Sequence, residues 1–216
     1  MAPSLHPVVV TRLELSGPDA WTLYWKRDFS FLPGQVVTLS ILPGSPERLY
    51  SLATGQDGDE AGVLFNLAPD GWLTPRLCAV RPGHRIYISQ PFGSFVGFPG
   101  PAVWIANGTG VAPFLSMVLS GLTADKSLIH GARSRDRFYG QELLAPALGD
   151  HYIRCASADS GEDLVPGRLT GYLESRSWPE NCPFYLCGSS AMIVESRDIL
   201  IRQGVPFKNI LSEVYF

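Results

Sequence analysis

The chain has 216 residues, a formal net charge of −3, 45% hydrophobic residues and 17% charged residues. At roughly 100–200 residues per domain, this length allows one large domain or two compact ones. The apolar fraction suffices for a core, and the charge is too low for a disordered chain. No basic excess is available to neutralise phosphate backbones, and no apolar run is long enough to cross a bilayer, so neither nucleic-acid binding nor a membrane span is expected.

The first ten residues, MAPSLHPVVV, lack the basic region and long apolar stretch of a signal peptide, so the expected compartment is the cytoplasm. Cys78, Cys155, Cys182 and Cys187 do not form the paired spacing of a zinc site or the cluster of an iron–sulfur site, and reduced thiols are expected. Gly 22 and Pro 18 imply many turns.

In chain order, the first half predicts short strands: HPVVVTRLEL, Thr22 to Phe29, Gln35 to Leu42, RLYSLA, GVLFNLA and Arg85 to Gln90. They are rich in β-branched and aromatic residues and separated by Gly and Pro turns such as Pro33-Gly34, Pro43-Gly44 and Pro82-Gly83. Strands of this length and spacing predict an antiparallel barrel or sandwich. Near Pro99-Gly100-Pro101 the pattern changes. AVWIA predicts a buried strand, VAPFLSMVLSGL a helix with Pro113 in its first turn, SLIHG a strand and RFYGQELLAPAL a helix. HYIRCAS, RLTGYLESR, PFYLCG, SAMIVESRDILIRQG and NILSEV continue the alternation of strand and helix. That alternation predicts a parallel sheet flanked by helices. The expected division is residues 1–98 for the barrel and 99–216 for the α/β domain.

Four segments carry candidate chemistry. Asn107-Gly108-Thr109-Gly110-Val111-Ala112-Pro113 follows a strand and opens a helix, where backbone amides and the helix dipole favour a diphosphate; by itself it reads as an ordinary tight turn. In Arg48-Leu49-Tyr50-Ser51 the strand period puts Arg48 and Tyr50 on one face and Ser51 on the other. The arginine suits a phosphate and the tyrosine a flat ring, although an ordinary half-exposed strand reads the same way. Cys187-Gly188 ends a parallel strand, the place where ligands bind in open α/β sheets, and a buried cysteine is also an ordinary small hydrophobe. The chain closes on Glu213-Val214-Tyr215-Phe216, and two terminal aromatics suggest a docked end.

In this order the segments resemble the ferredoxin–NADP reductase family: Arg-x-Tyr-Ser, a Gly-x-x-Thr at Gly71-Trp72-Leu73-Thr74, Gln90-Pro91-Phe92-Gly93-Ser94-Phe95, GTGVAP, Cys-Gly and a terminal aromatic. The resemblance implies an FAD-binding β-barrel followed by an NAD(P)-binding α/β domain. It implies that Arg48, with Gly71, Leu73 and Thr74, binds the FAD diphosphate. Leu49 and Tyr50 would lie against the flavin, Tyr50 stacking on it, and Ser51 near its N5. Gly108, Thr109 and Gly110 would cradle the NAD(P)H diphosphate, and Cys187 and Gly188 would line the nicotinamide pocket. Glu213 would sit near the reacting rings. Tyr215 or Phe216 would cover the flavin and move aside for the nicotinamide. The catalytic set so implied is Ser51, Cys187, Glu213 and Tyr215.

For the coenzyme, Arg133 and Arg168 resemble positions that bind the NADP 2′-phosphate in some members, whereas Ser157-Ala158-Asp159 lacks the arginine common in NADP enzymes. NADP and NAD both stay open. The implied reaction takes a hydride from NAD(P)H onto FAD and passes electrons to a separate ferredoxin, flavodoxin or oxygenase. Reduction of small diffusible acceptors, and a non-catalytic FAD-binding subunit of a larger complex, are the alternatives. Arg12, Lys26, Arg27 and Arg76 are candidates for a basic docking rim, or for scattered surface charge.

Overall fold

The structure is a computed structural model that describes residues 4–215; Phe216, one of the two candidate covers for the flavin, lies outside them. Contacts divide the chain into two units. One runs through Gly97 and includes Ala112–Gly121; the other comprises Phe98–Val111 and the chain from Leu122 on.

The first unit holds a six-stranded antiparallel sheet, ordered β4-β3-β6-β1-β2-β5. Its strands are β1 (His6–Gly17), β2 (Ala20–Lys26), β3 (Val36–Ser40), β4 (Arg48–Ser51), β5 (Glu60–Asn66) and β6 (Arg85–Ile88). β1 serves two neighbours: His6 to Val9 pair with β6, and Val10 to Gly17 pair with β2. A register shift between Val10 and Arg12 bends the strand at the change of partner, as bulges do where sheets curl. The sheet closes on itself just past β4, where Leu52 bridges Val63 and the Ala53 N–H donates to the Gly62 carbonyl at 2.8 Å. Phe92, in the expected barrel-closing turn, exchanges two backbone bonds with Val36.

Alternate residues of these strands point inward, and Val10, Leu23, Trp25, Val37, Leu39, Val63, Phe65, Ile86 and Ile88 are buried together. Each such side chain contributes about 1.5–3 kcal/mol. Leu73, Leu77 and Val80, from the turn of helix α1 (Thr74–Leu77) and its flanks, join the same cluster.

The second sheet is parallel, with order β10-β9-β8-β7-β11-β12. Its strands are β7 (Ala102–Asn107), β8 (Lys126–Ala132), β9 (Tyr152–Ala156), β10 (Val165–Pro166), β11 (Phe184–Ser189) and β12 (Ile210–Tyr215). After β7 the chain runs outward through β8, β9 and β10, then returns to place β11 on the other side of β7. The order therefore reverses between β7 and β11, which is where open α/β sheets form a ligand crevice at their carboxyl ends.

Val103, Ile105, Ile129, Phe184 and Leu186 pack with residues of helices α4 (Leu169–Glu174) and α5 (Ser190–Arg202). The alternate residues Trp104, Leu128, His130, Tyr152 and Tyr185 are buried on the opposite face. Helix α2 (Ala112–Leu119) follows a 3₁₀ turn at Gly108–Val111, with Pro113 as its second residue. Helix α3 (Gln141–Leu148) is shorter than RFYGQELLAPAL suggests. Phe138 turns out of helical conformation and Gly140 is left-handed (φ 73°), so the helix starts only at Gln141.

Candidate functional site

On the barrel, β4 carries the expected arginine and tyrosine. Arg48 is exposed; its Nη1 donates only to the neighbouring Glu47 carbonyl at 2.8 Å, and no carboxylate pairs with it among the described residues. Leu49 is exposed as well. Tyr50 is half-buried, edge-on to Phe65 at 6.3 Å, and burial pushes its phenol up to about 12, so it is neutral at physiological pH. Ser51 is buried, at 1% exposure, on the opposite face of the strand. An arginine without a carboxylate partner beside a neutral ring is the donor set that a diphosphate joined to a flat heterocycle requires, so these residues fit FAD.

The Gly71–Thr74 loop is held by its own hydroxyl. The Ala68 N–H donates to Thr74 Oγ1 at 2.9 Å, and that hydroxyl returns a bond to the Ala68 carbonyl at 3.3 Å. Gly71 closes the same turn, its N–H donating to the Ala68 carbonyl at 2.9 Å. The threonine hydroxyl thus shapes the loop; in the first turn of α1 Pro75 has no N–H, and the Arg76 and Leu77 amides donate to the Leu73 carbonyl. Leu73 points into the core, while Trp72 is partly exposed with the Arg76 guanidinium 4.4 Å above its ring.

The expected basic rim is spent within the unit: Arg12 binds Glu60 and Glu14, Arg27 donates to the Gln56 carbonyl and Arg76 to the Trp72 carbonyl. Lys26 remains exposed.

On the parallel sheet, the reversal of strand order brings three distant segments together. Gly108 has φ 54° and open space where a Cβ would stand, the condition for a ligand to approach the backbone. Gly110 serves a different need: a Cβ there would lie 2.3 Å from the Cys187 carbonyl oxygen, so its missing side chain lets the turn pack on β11. Thr109 between them is half-buried.

β12 continues the assembly in register, with Cys187 opposite Glu213, Gly188 opposite Val214 and Ser189 opposite Tyr215. Cys187 is fully buried, and its thiol is raised well above the ordinary value by burial and then by the Glu213 carboxylate, against a smaller opposing hydrogen bond from Tyr215. It is a neutral thiol at physiological pH, unsuited to nucleophilic attack. Four of the implied residues, Cys187, Gly188, Glu213 and Tyr215, therefore lie side by side.

Arg133 and Arg168 are both exposed at the carboxyl side of β8 and β10. Those strand ends converge: the Ser157 and Ala158 amides donate to the Ala132 and Arg133 carbonyls, and the Gly167 amide to Ala156. Beside them Arg135 forks onto Asp163 at 2.6 and 2.8 Å, Arg154 reaches Asp163 at 2.8 Å, and Asp159 accepts from the Arg135 and Ser160 amides. Both aspartates are held below the usual carboxylate range, Asp163 chiefly by the Arg135 hydrogen bonds and Asp159 by the Arg135 backbone amide.

Sequence reasoning assigned no role to Arg135 or Asp163. Asn107 and Ser189 fell within two candidate segments, but nothing in the sequence paired them across 82 residues.

The oxidoreductase NAD-binding domain family matches residues 104–198. The reductase component (ferredoxin–NAD(P)⁺) of the naphthalene 1,2-dioxygenase system of Pseudomonas putida is 28% identical across 98% of this chain and 65% of its own length. The reductase component of propane 2-monooxygenase from Mycolicibacterium smegmatis is 36% identical over 66% of this chain and 44% of its own. The chain is thus similar to reductases of the ferredoxin–NADP reductase family. It spans less than two thirds of the length of these two relatives. The fold matches that of a ferredoxin NADP⁺ reductase from Neisseria gonorrhoeae, with a TM-score of 0.87 at 19% identity over 98% of this chain and 99% of that one. No helix among the described residues is long and apolar enough to cross a membrane.

Proposed function

We propose that the protein is an FAD-dependent oxidoreductase that oxidises NAD(P)H and passes electrons to a separate acceptor. The observation that carries this reading is the assembly at the reversal of the parallel sheet. An open glycine turn at Gly108 stands beside the buried Cys187-Gly188 end, with Glu213 and Tyr215 on the next strand. Bound FAD supplies the chemistry, accepting a hydride from a nicotinamide and releasing electrons one at a time.

The chain's own residues bind and orient. Residues 1–98 form the flavin domain, where Arg48 and the Gly71–Thr74 loop hold the diphosphate, Tyr50 supports the ring and Ser51 fixes a hydroxyl beside it. Residues 99–216 form the coenzyme domain. Gly108 and Thr109 take the diphosphate, Gly110 holds the turn on β11, and Cys187 and Gly188 bound the nicotinamide. The neutral Cys187 thiol leaves the charge at that end of the sheet to Glu213, the group able to exchange a proton there. Tyr215, hydrogen-bonded to Cys187, steadies the pair. Arg133 and Arg168 face the adenosine end.

The relatives named above are reductase components of a dioxygenase and a monooxygenase system. By that likeness the acceptor is a ferredoxin or an oxygenase component. The four free thiols support a cytoplasmic location, where NAD(P)H is available.

The test is anaerobic mixing of the FAD-loaded protein with NADH and, separately, with NADPH. Rapid loss of the oxidised-flavin absorbance with at least one of them is the expected result, and the faster one identifies the coenzyme. A protein that holds FAD yet is bleached by neither is not a reductase.

A further inference from the structure

We propose that Asn107 is a positioning residue that stitches the mouth of the crevice between β7 and β11 and thereby seats the nicotinamide, while leaving the diphosphate cradle to others. The proposal rests on the reading of the site as an NAD(P)H site.

The ladder between β7 and β11 ends at Ala106 and Cys187. Each strand stays paired beyond that point on its other side, β7 with β8 through Asn107 and Gly131, and β11 with β12 through Ser189 and Tyr215. The two strands therefore part at the level where the ligand crevice opens. The Asn107 side chain spans the gap. Its Oδ1 accepts the Ser189 N–H at 2.9 Å, and its Nδ2 donates to Ser189 Oγ at 3.0 Å. A primary amide has the donor and acceptor of a peptide group, so it supplies one more rung where the backbone ladder has stopped.

Three further features show that the rung is built in. Ser189 is the N-cap residue of α5, but its hydroxyl caps no helix amide; it is turned to Asn107 instead. Gly188 has φ 143°, and a Cβ there would stand 2.0 Å from Asn107 Oδ1, so its missing side chain makes room for the amide. Gly110, three residues after Asn107, already packs on the Cys187 carbonyl.

Removing the amide leaves the Ser189 N–H without its acceptor and loosens the Gly188 end of β11, which bounds the nicotinamide, on its β7 side while the pairing with β12 remains. The Gly108 turn is held independently by the β7–β8 ladder, which runs to Asn107 and Gly131. The two halves of the coenzyme should therefore respond differently.

The variants are Asn107→Leu, which removes both hydrogen bonds and keeps the branching at Cγ, and Asn107→Asp, which keeps an acceptor for the Ser189 N–H. Three quantities are measured on the full FAD-loaded chain: ADP-ribose affinity by calorimetry, saturation transfer to the nicotinamide protons relative to the adenine protons of bound NAD⁺ by NMR, and the limiting rate of flavin bleaching. For Asn107→Leu the nicotinamide-to-adenine ratio should fall and the limiting rate drop about tenfold, the equivalent of one unsatisfied amide. ADP-ribose affinity should stay within about twofold of wild type, a difference below the usual cost of a lost hydrogen bond. Asn107→Asp should recover the ratio, even if its charge weakens both ligands alike. An unchanged ratio in the leucine variant overturns the proposal, as does a parallel loss of ADP-ribose binding or a failure of aspartate to recover the ratio. A wild-type protein that seats NAD⁺ but is not bleached defeats the reductase reading, while the NMR ratio still decides the role of Asn107.

Discussion

In the barrel the candidate residues are neighbours in the chain, Arg48 to Ser51 on one strand and Gly71 to Thr74 in one loop. In the parallel sheet residues 107–110, 187–189 and 213–215 meet only because β7, β11 and β12 are adjacent. The barrel presents Arg48 outward from a closed apolar interior, and changing it leaves the core in place, whereas Tyr50, Ser51 and Leu73 are partly or wholly buried. At the sheet reversal, Gly110, Gly188 and the Asn107 amide also hold the strands together. A substitution in the first region should act on ligand affinity, and one in the second on affinity and fold together.

Gly110→Ala should have the largest effect, because the new Cβ meets backbone atoms at 2.3 and 2.5 Å on Cys187 and Gly188. Backbone on both sides must shift, at a cost of about 3 kcal/mol or more, read as a lower urea midpoint together with lost NAD⁺ binding. A variant as stable as wild type would contradict the tight packing of the turn on β11.

His130 provides an intermediate effect. It is fully buried against Phe138 with its Nδ1 2.9 Å from the Tyr152 hydroxyl. Burial, with Arg154 nearby, lowers it from 6.5 to about 3. Between those values the unfolded chain binds a proton that the folded chain refuses, so stability falls as the pH falls. From pH 6.5 to 5 that is about 1.6 kcal/mol. His130→Phe should lower stability at neutral pH, by stranding the Tyr152 hydroxyl, but remove this slope in urea titrations. A slope equal to wild type would show that His130 is not its source.

Gly108→Ala should disturb the fold least. Space is open around it and φ is 54°, so the cost is the left-handed conformation alone, about 1 kcal/mol. NAD⁺ affinity should still fall, because the methyl group occupies the cradle; unchanged affinity would remove Gly108 from the site.

The same contrast explains what was legible in the sequence. β4 and its face assignment followed from residue type and a period of two, because Arg48, Tyr50 and Ser51 need no distant partner to be placed. Strand–helix alternation gave the parallel sheet, since each buried strand is a short apolar run between helical segments. Sequence alone did not reveal that Gly108 and Gly110 have different reasons to be glycine, one open and one packed, because that depends on β11 lying beside β7. Asn107–Ser189 and Arg135–Asp163 were invisible for the same reason: local patterns carry no signal for side-chain pairs 82 and 28 residues apart. The late start of the expected 137–148 helix reflects local backbone, the left-handed Gly140, which the apolar periodicity of the segment concealed.

The most direct test of the account, two ligand sites built in these two different ways, is a paired calorimetric titration of FAD and NAD⁺ into wild type and Arg48→Glu. Arg48 has no carboxylate partner to lose, so the substitution should leave the fold intact. The account predicts FAD binding weakened by about tenfold or more, the scale of a lost charge-assisted hydrogen bond, with NAD⁺ affinity unchanged. FAD affinity equal to wild type, or a loss of NAD⁺ binding in step with FAD, would contradict it.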